Sequence, residues 1–134
     1  FVIHCFGVTD YAGTSRFASP VDPAHISHTV LERKNASGPN ITVDVKRLGT
    51  VMRALGHDHV DVLKMDIEGA EYGVVEDLAR EGHAVRQLLL EYHHHLPGVP
   101  LRRTEASIRR LNAAGFRIFD VSPTGRELSL IRER

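Results

Sequence analysis

The sequence predicts an α/β fold of three layers, with a mostly parallel sheet closed by an antiparallel hairpin at its C-terminal end. Three observations carry this expectation. Strand-like apolar runs alternate with segments of helical periodicity, an order that favours parallel pairing. One run, Val60-Asp61-Val62-Leu63-Lys64-Met65, is broken only by Asp61 and Lys64, as expected of a strand covered on both faces. Near the end, Ser122-Pro123-Thr124-Gly125-Arg126 separates two short runs of strand-forming residues and reads as a hairpin turn.

Taken in order, residues 1–8 read as a strand, closed by Gly7 and the turn-forming Thr9-Asp10-Tyr11-Ala12-Gly13, and residues 14–18 as a short returning edge strand. Residues 19–40 hold Pro20, Pro23, Gly38 and Pro39 among polar residues. They read as a long loop, either solvated or a lid over a substrate. Ile41-Thr42-Val43-Asp44-Val45 alternates apolar and polar, the pattern of a half-exposed strand. Leu48, Val51, Met52 and Leu55 follow helical spacing, with Thr50 a candidate cap and Gly56 a stop.

Past Met65 the acids Asp66, Glu68 and Glu71 crowd around Gly69. Ala70, Val74, Val75 and Leu78 then continue as a helix that Gly82 ends. Residues 84–92 form a second apolar strand, followed by His93-His94-His95 and stopped by Leu96-Pro97-Gly98. A helix over 103–114 turns Ile108 and Leu111 inward, and residues 116–121 and 127–131 form the closing hairpin.

With 134 residues there is room for one domain, and 42% hydrophobic with 25% charged residues is ordinary for a globular chain. Seventeen basic residues balance seventeen acidic ones, which leaves no electrostatic case for nucleic acid. Cys5 is the lone cysteine, so no internal disulfide forms and a reducing, cytoplasmic setting is expected. No apolar run approaches the ~18 residues of a membrane span. The chain opens inside an apolar run, Phe1-Val2-Ile3-His4-Cys5-Phe6, so its first strand is expected to begin upstream.

Asp66 and Glu68 lie two apart where a strand ends, so both face one side while the chain stays extended. In open α/β sheets ligands gather at such strand ends. Two carboxylates there can orient a hydroxyl, take its proton, or hold a divalent metal. The alternative is that the acids serve the positive N-terminus of the following helix, which applies to Glu71 before Asp66. Gly69 is best explained by backbone geometry, a positive φ or a close approach. Lys64 is either a snorkelling stem or a charge partner of Glu68 or Glu91. Glu91 and His93 end the next strand and line the same crevice. Three adjacent histidines cannot all reach one zinc ion. Asp66, Glu68, Glu91 and His93 can still make a mixed carboxylate–histidine metal site, with His95 a further candidate, in a metal-dependent hydrolase or binding protein.

Lys64-Met65-Asp66-Ile67-Glu68-Gly69-Ala70-Glu71 resembles the K-x-D-x-E-G-x-E signature of the FkbM-type methyltransferases, and Leu89-Leu90-Glu91-Tyr92-His93 is similar to the family's next strand and its end. The resemblance implies the second half of a class I, Rossmann-like methyltransferase domain spanning residues 1–134. It implies S-adenosylmethionine as cofactor and methylation of a hydroxyl on a small metabolite or sugar. On that likeness Asp66, Glu68 and His93 are the catalytic residues, with Asp66 and Gly69 against the cofactor. Glu91, with Ser27 and His28 of the loop, faces the substrate. The family usually carries T-L-D where this chain has Arg47-Leu48-Gly49. No G-x-G-x-x-G turn occurs anywhere, so the glycine-rich half of the cofactor site is not among these residues. A catalytically silent interaction module is the remaining reading.

Overall fold

The computed structural model describes residues 2–22, 24, 28–31 and 38–133. Its elements are β1 (Gly7–Val8), β2 (Gly13–Phe17), β3 (Ile41–Lys46), α1 (Leu48–Leu55), β4 (Val60–Met65), α2 (Glu71–Glu81), β5 (Val85–Glu91), α3 (Leu101–Ala113), β6 (Phe116–Val121) and β7 (Glu127–Arg132).

The strands form two mixed sheets rather than one mostly parallel sheet. In the smaller sheet β3 lies between β1, which runs parallel to it, and β2, which runs antiparallel. Only Gly7 and Val8 of the expected first strand pair, while Val2 and Ile3 are exposed. The larger sheet has the order β4-β5-β7-β6, with β4 and β5 parallel and the other two pairings antiparallel. The antiparallel strand is therefore internal. β7 returns from the turn at Ser122–Arg126 and inserts between β5 and β6, because Leu128 and Leu130 add to the buried face that Leu88 and Leu90 begin.

That face is the core. Met65, Leu88, Leu90, Leu128 and Leu130 meet Tyr72, Val75 and Leu78 of α2 and Leu111 of α3, with Leu48 and Met52 of α1 joining the same cluster. Two tyrosines bring polar atoms inside and satisfy them there. The Tyr92 hydroxyl donates to Ser107 Oγ at 2.7 Å, and the Tyr72 hydroxyl lies 3.0 Å from Thr104 Oγ1. Burial raises the pKa of both phenols, so they stay neutral.

β4 departs from the expected double coverage. Among the described residues its one neighbour is β5, and Val62, facing away from the helices, is 51% exposed. The apolar run reported a hydrophobic strand correctly but not how many faces are covered.

The helix boundaries follow glycine chemistry. Gly56 and Gly82 take the left-handed conformation that ends α1 and α2, and the Gly82 N–H closes on the Leu78 carbonyl at 3.1 Å. Thr50 is not a cap. α1 starts two residues earlier, from an extended Arg47 whose guanidinium reaches Asp77 and Glu81 of α2 instead. Gly49 sits beneath His83, where a Cβ would come within 2.4 Å of the imidazole, so a larger residue at 49 requires that ring to move. α3 begins at Leu101, ahead of the expected 103, because Pro100 is extended and leads straight into the first turn.

If one face carries the core, two truncations separate cleanly. Leu88→Ala is expected to cost about 2–5 kcal/mol, whereas Val62→Thr stays within about 0.5 kcal/mol. Urea denaturation of both variants checks this, and equal losses would put a packed layer on the Val62 side.

Candidate active site

The site is assembled where β4 and β5 end side by side. β4 runs out at Met65, and the chain then makes a tight acidic turn into α2. Glu68 holds a left-handed φ of 49° and Gly69 a φ of 105°. Such a conformation costs a non-glycine residue about 1–3 kcal/mol, so the turn needs support. Three contacts supply it. Thr29 Oγ1 donates to the Glu68 carbonyl, the Gly69 N–H donates to both Glu71 carboxylate oxygens at 3.0 and 3.1 Å, and Leu31 covers Gly69. A Cβ on Gly69 would lie 2.7 Å from Leu31 Cγ, so both geometric reasons for a glycine hold. Its amide is committed to Glu71, and Gly69 serves the site by shaping the turn.

Glu71 is fully buried at the start of α2, and it accepts a hydrogen bond from His93 Nδ1. A carboxylate can only accept, so Nδ1 carries the hydrogen and Nε2 faces the crevice. Asp66 Oδ1 and Glu68 Oε2 each stand 3.7 Å from that Nε2. The left-handed turn, not an extended strand end, brings these two carboxylates to the same atom. Donor atoms of Asp66, Glu91 and His93 all lie within 4.8 Å of one another. Lys64 Nζ is 3.7 Å from Asp66 Oδ2, so its partner is Asp66 rather than Glu68 or Glu91.

Four carboxylates thus surround one buried imidazole. Burial is the largest single influence on His93 and opposes its charging, but the Glu71 hydrogen bond and the charges of Glu71, Glu68 and Glu91 together outweigh it and raise the pKa. His95, with its ring centre 5.6 Å away, shifts the other way: burial leads, and Arg126, His93 and His94 add to it.

Of the residues expected at a site, Asp66, Glu68, Gly69, Glu91 and His93 are brought together. His28 is not shown against the carboxylates; its Nε2 lies 3.4 Å from Ser19 Oγ. Ser27 lies outside the described residues. The loop meets the site through Thr29, which is fully buried and pairs with Ala18 in an isolated bridge. In the sequence Thr29 belongs to the polar cluster Ser27-His28-Thr29, but its bond to the acidic turn was not foreseen. The sequence also left Glu71 open between a helix-end role and a site role. The available signal was spacing: Glu71 shares the buried stripe of α2 with Val74, Val75 and Leu78.

Acids and a histidine gathered at parallel strand ends of an α/β sheet suit group-transfer chemistry, and the comparisons agree. The Methyltransferase FkbM domain profile matches residues 1–118. The chain belongs to the FkbM methyltransferase family. It is 35% identical over 86 residues to the probable methyltransferase-like protein 24 of Rattus norvegicus and 34% identical to that of Homo sapiens. It is also 35% identical over 75 residues to the AMB antimetabolite synthetase AmbE of Pseudomonas aeruginosa. The matches cover 57% of this chain and 24% of each methyltransferase-like protein, and 55% of this chain and 4% of AmbE. The chain therefore spans about a quarter or less of the curated relatives it matches. No solved structure matches it significantly.

Removing the Glu71 charge while keeping its shape isolates the pair. In Glu71→Gln, measured in chelator by NMR titration of the ring protons, the His93 pKa is expected to fall below its wild-type value. The sign follows because the Glu71 hydrogen bond and charge both raise the His93 pKa; the raised value gives stability that is complete below the unfolded pKa and lost as pH rises through the folded one. An unchanged titration would assign Glu71 to the turn alone.

Proposed function

We propose that this chain supplies the reacting end of an S-adenosylmethionine-dependent methyltransferase acting on a hydroxyl of a small metabolite or sugar. One observation carries the reading: Asp66 and Glu68 converge on Nε2 of a buried histidine whose other nitrogen is held by Glu71. Family membership favours transfer over the hydrolase or the silent module that the same fold would also suit.

The donor set fits one end of S-adenosylmethionine. Its sulfonium and ammonium are positive, and the crevice is lined by Asp66, Glu68 and Glu91. Asp66 is 41% exposed in its side chain, open to a ligand, and it is the residue assigned to that end and to the acceptor. The chain has no glycine-rich turn for the rest of the cofactor. When bound, the cofactor supplies an electrophilic methyl on a cationic sulfur.

The residues here handle the acceptor. Asp66 accepts the hydrogen bond of its hydroxyl and fixes the oxygen in line, which is most of what a displacement requires. With the methyl that the cofactor would supply, the hydroxyl oxygen would turn strongly acidic and its proton would need a base. A carboxylate or an imidazole is then a strong enough base. Asp66 takes the proton, with Glu68 beside it and His93 Nε2 as auxiliary base when neutral. Glu91, the last residue of β5, faces the acceptor from the neighbouring strand. Cys5, exposed and unpaired, suits the cytoplasmic setting proposed with this reading.

Asp66→Asn in the intact protein should lower turnover by about 10²–10⁴-fold while leaving the circular dichroism spectrum and melting temperature intact. Wild-type turnover would remove Asp66 from the mechanism. His93→Ala should slow transfer without weakening cofactor binding measured by calorimetry, and wild-type rates in that variant would give the histidine a packing role only.

A further inference from the structure

We propose that Asp66, Glu91 and His93 form a divalent-cation site that holds the acceptor oxygen. What the ion is for rests on the methyl-transfer reading above; whether it binds does not.

Three features point to an ion. The first is spacing. A metal held at about 2.0–2.2 Å by nitrogen and oxygen ligands keeps them roughly 3–4.4 Å apart. His93 Nε2 and Asp66 Oδ1 are separated by 3.7 Å, too far for a hydrogen bond, and one donor atom each of Asp66, Glu91 and His93 lies within 4.8 Å of the others.

The second is preparation of the histidine. The His93 side chain is only 4% exposed, and Glu71, wholly buried, holds its Nδ1–H. That fixes the tautomer and aims the Nε2 lone pair into the carboxylates. A carboxylate behind a ligating imidazole is the usual outer support of a metal-bound histidine, and losing it typically costs 10–100-fold in affinity.

The third is charge. Asp66, Glu68, Glu71 and Glu91 face one imidazole, and Lys64, whose Nζ is 3.7 Å from Asp66, has a side chain 68% exposed. The site is short of positive charge, and a divalent ion supplies it at the point where the acids converge.

The donors are two carboxylates and one imidazole with no thiolate, a mixture that suits Mn²⁺ or Zn²⁺ better than a soft metal. Three protein ligands leave positions open, and Asp66 stands at the solvent edge where an acceptor hydroxyl can enter. With the ion bound, Asp66 and His93 Nε2 are ligands rather than bases, and Glu68 takes over the proton. The hydroxyl is acidified on the metal, and its proton passes to Glu68, 3.7 Å from the same nitrogen.

The test is a titration of MnCl2 into chelator-stripped protein, following the free-ion electron paramagnetic resonance signal with no cofactor present. One equivalent of Mn²⁺ should leave the free signal. Binding should weaken at least tenfold in Glu91→Gln, a half-buried position whose loss leaves the fold intact by circular dichroism. Glu71→Gln, with no metal contact of its own, should weaken it by about 10–100-fold. No depletion of free Mn²⁺ by wild-type protein, or equal depletion by Glu91→Gln, overturns the site. Calorimetry with S-adenosylmethionine on the intact protein, the form used for the turnover assays, separates the two readings. Cofactor binding without Mn²⁺ binding removes the ion and keeps the transferase. Mn²⁺ binding without cofactor binding keeps the ion and removes the transferase.

Discussion

The buried contact between Glu71 and His93 is the constraint on which the rest of the site depends. Taking a carboxylate and an imidazole out of water is unfavourable unless each keeps hydrogen-bonding partners. Here the carboxylate has two: the Gly69 amide and the imidazole. The pair joins the first residue of α2 to the segment just past β5, so it sets where the acidic turn sits against the end of the neighbouring strand. Breaking such a pair by removing one partner leaves a buried charge uncompensated, at about 3–5 kcal/mol. That asymmetry keeps His93 in one orientation and one tautomer.

Around that anchor the turn is held by residues distant in sequence. Glu68 is in a left-handed conformation that few residues other than glycine adopt. It persists because Thr29 bonds its carbonyl and Leu31 packs on the glycine that follows. Thr29 is also the acceptor for the Leu31 amide at 3.1 Å, so the loop braces itself in the act of bracing the turn. The 28–31 segment therefore supports the backbone of the turn from which the Glu68 side chain projects. Of the loop expected to be solvated or a lid, Thr29 and Leu31 form part of the wall behind the turn.

Much of the fold was legible because it rests on local chemistry. α1 and the end of α2 follow from apolar periodicity and from Gly56 and Gly82, whose missing Cβ permits the left-handed stop. The hairpin turn at Ser122–Arg126 follows from its proline and glycine. Sheet composition was not legible, because β2 and β7 choose their partners through long-range burial that alternation alone does not encode. The exposure of Val62 was hidden for the same reason: an apolar run states what can be buried, and the number of covering layers decides what is. In the site, Asp66, Glu68, Glu91 and His93 were readable as acids and a histidine at strand ends. The Thr29 bond crosses 39 residues of sequence and leaves no local trace.

Carboxylates of one chemical type do two different jobs here, and environment divides them. Glu71 is wholly enclosed and fully used by its hydrogen bonds, so it can orient but cannot meet a substrate. Asp66 and Glu68 keep 41% and 23% of their side chains open and reach His93 only at a distance that leaves room for something between. Separating an enclosed, orienting acid from open ones by burial lets one cluster be both rigid and accessible. The separation also answers why the signature needs its third acid. Without Glu71 the imidazole would be free to turn, and the two exposed carboxylates would repel each other across an empty crevice with nothing to aim at. The spacing of the acids in the sequence is thus a record of depth: the last of them points inward from the helix so that the first two can face out.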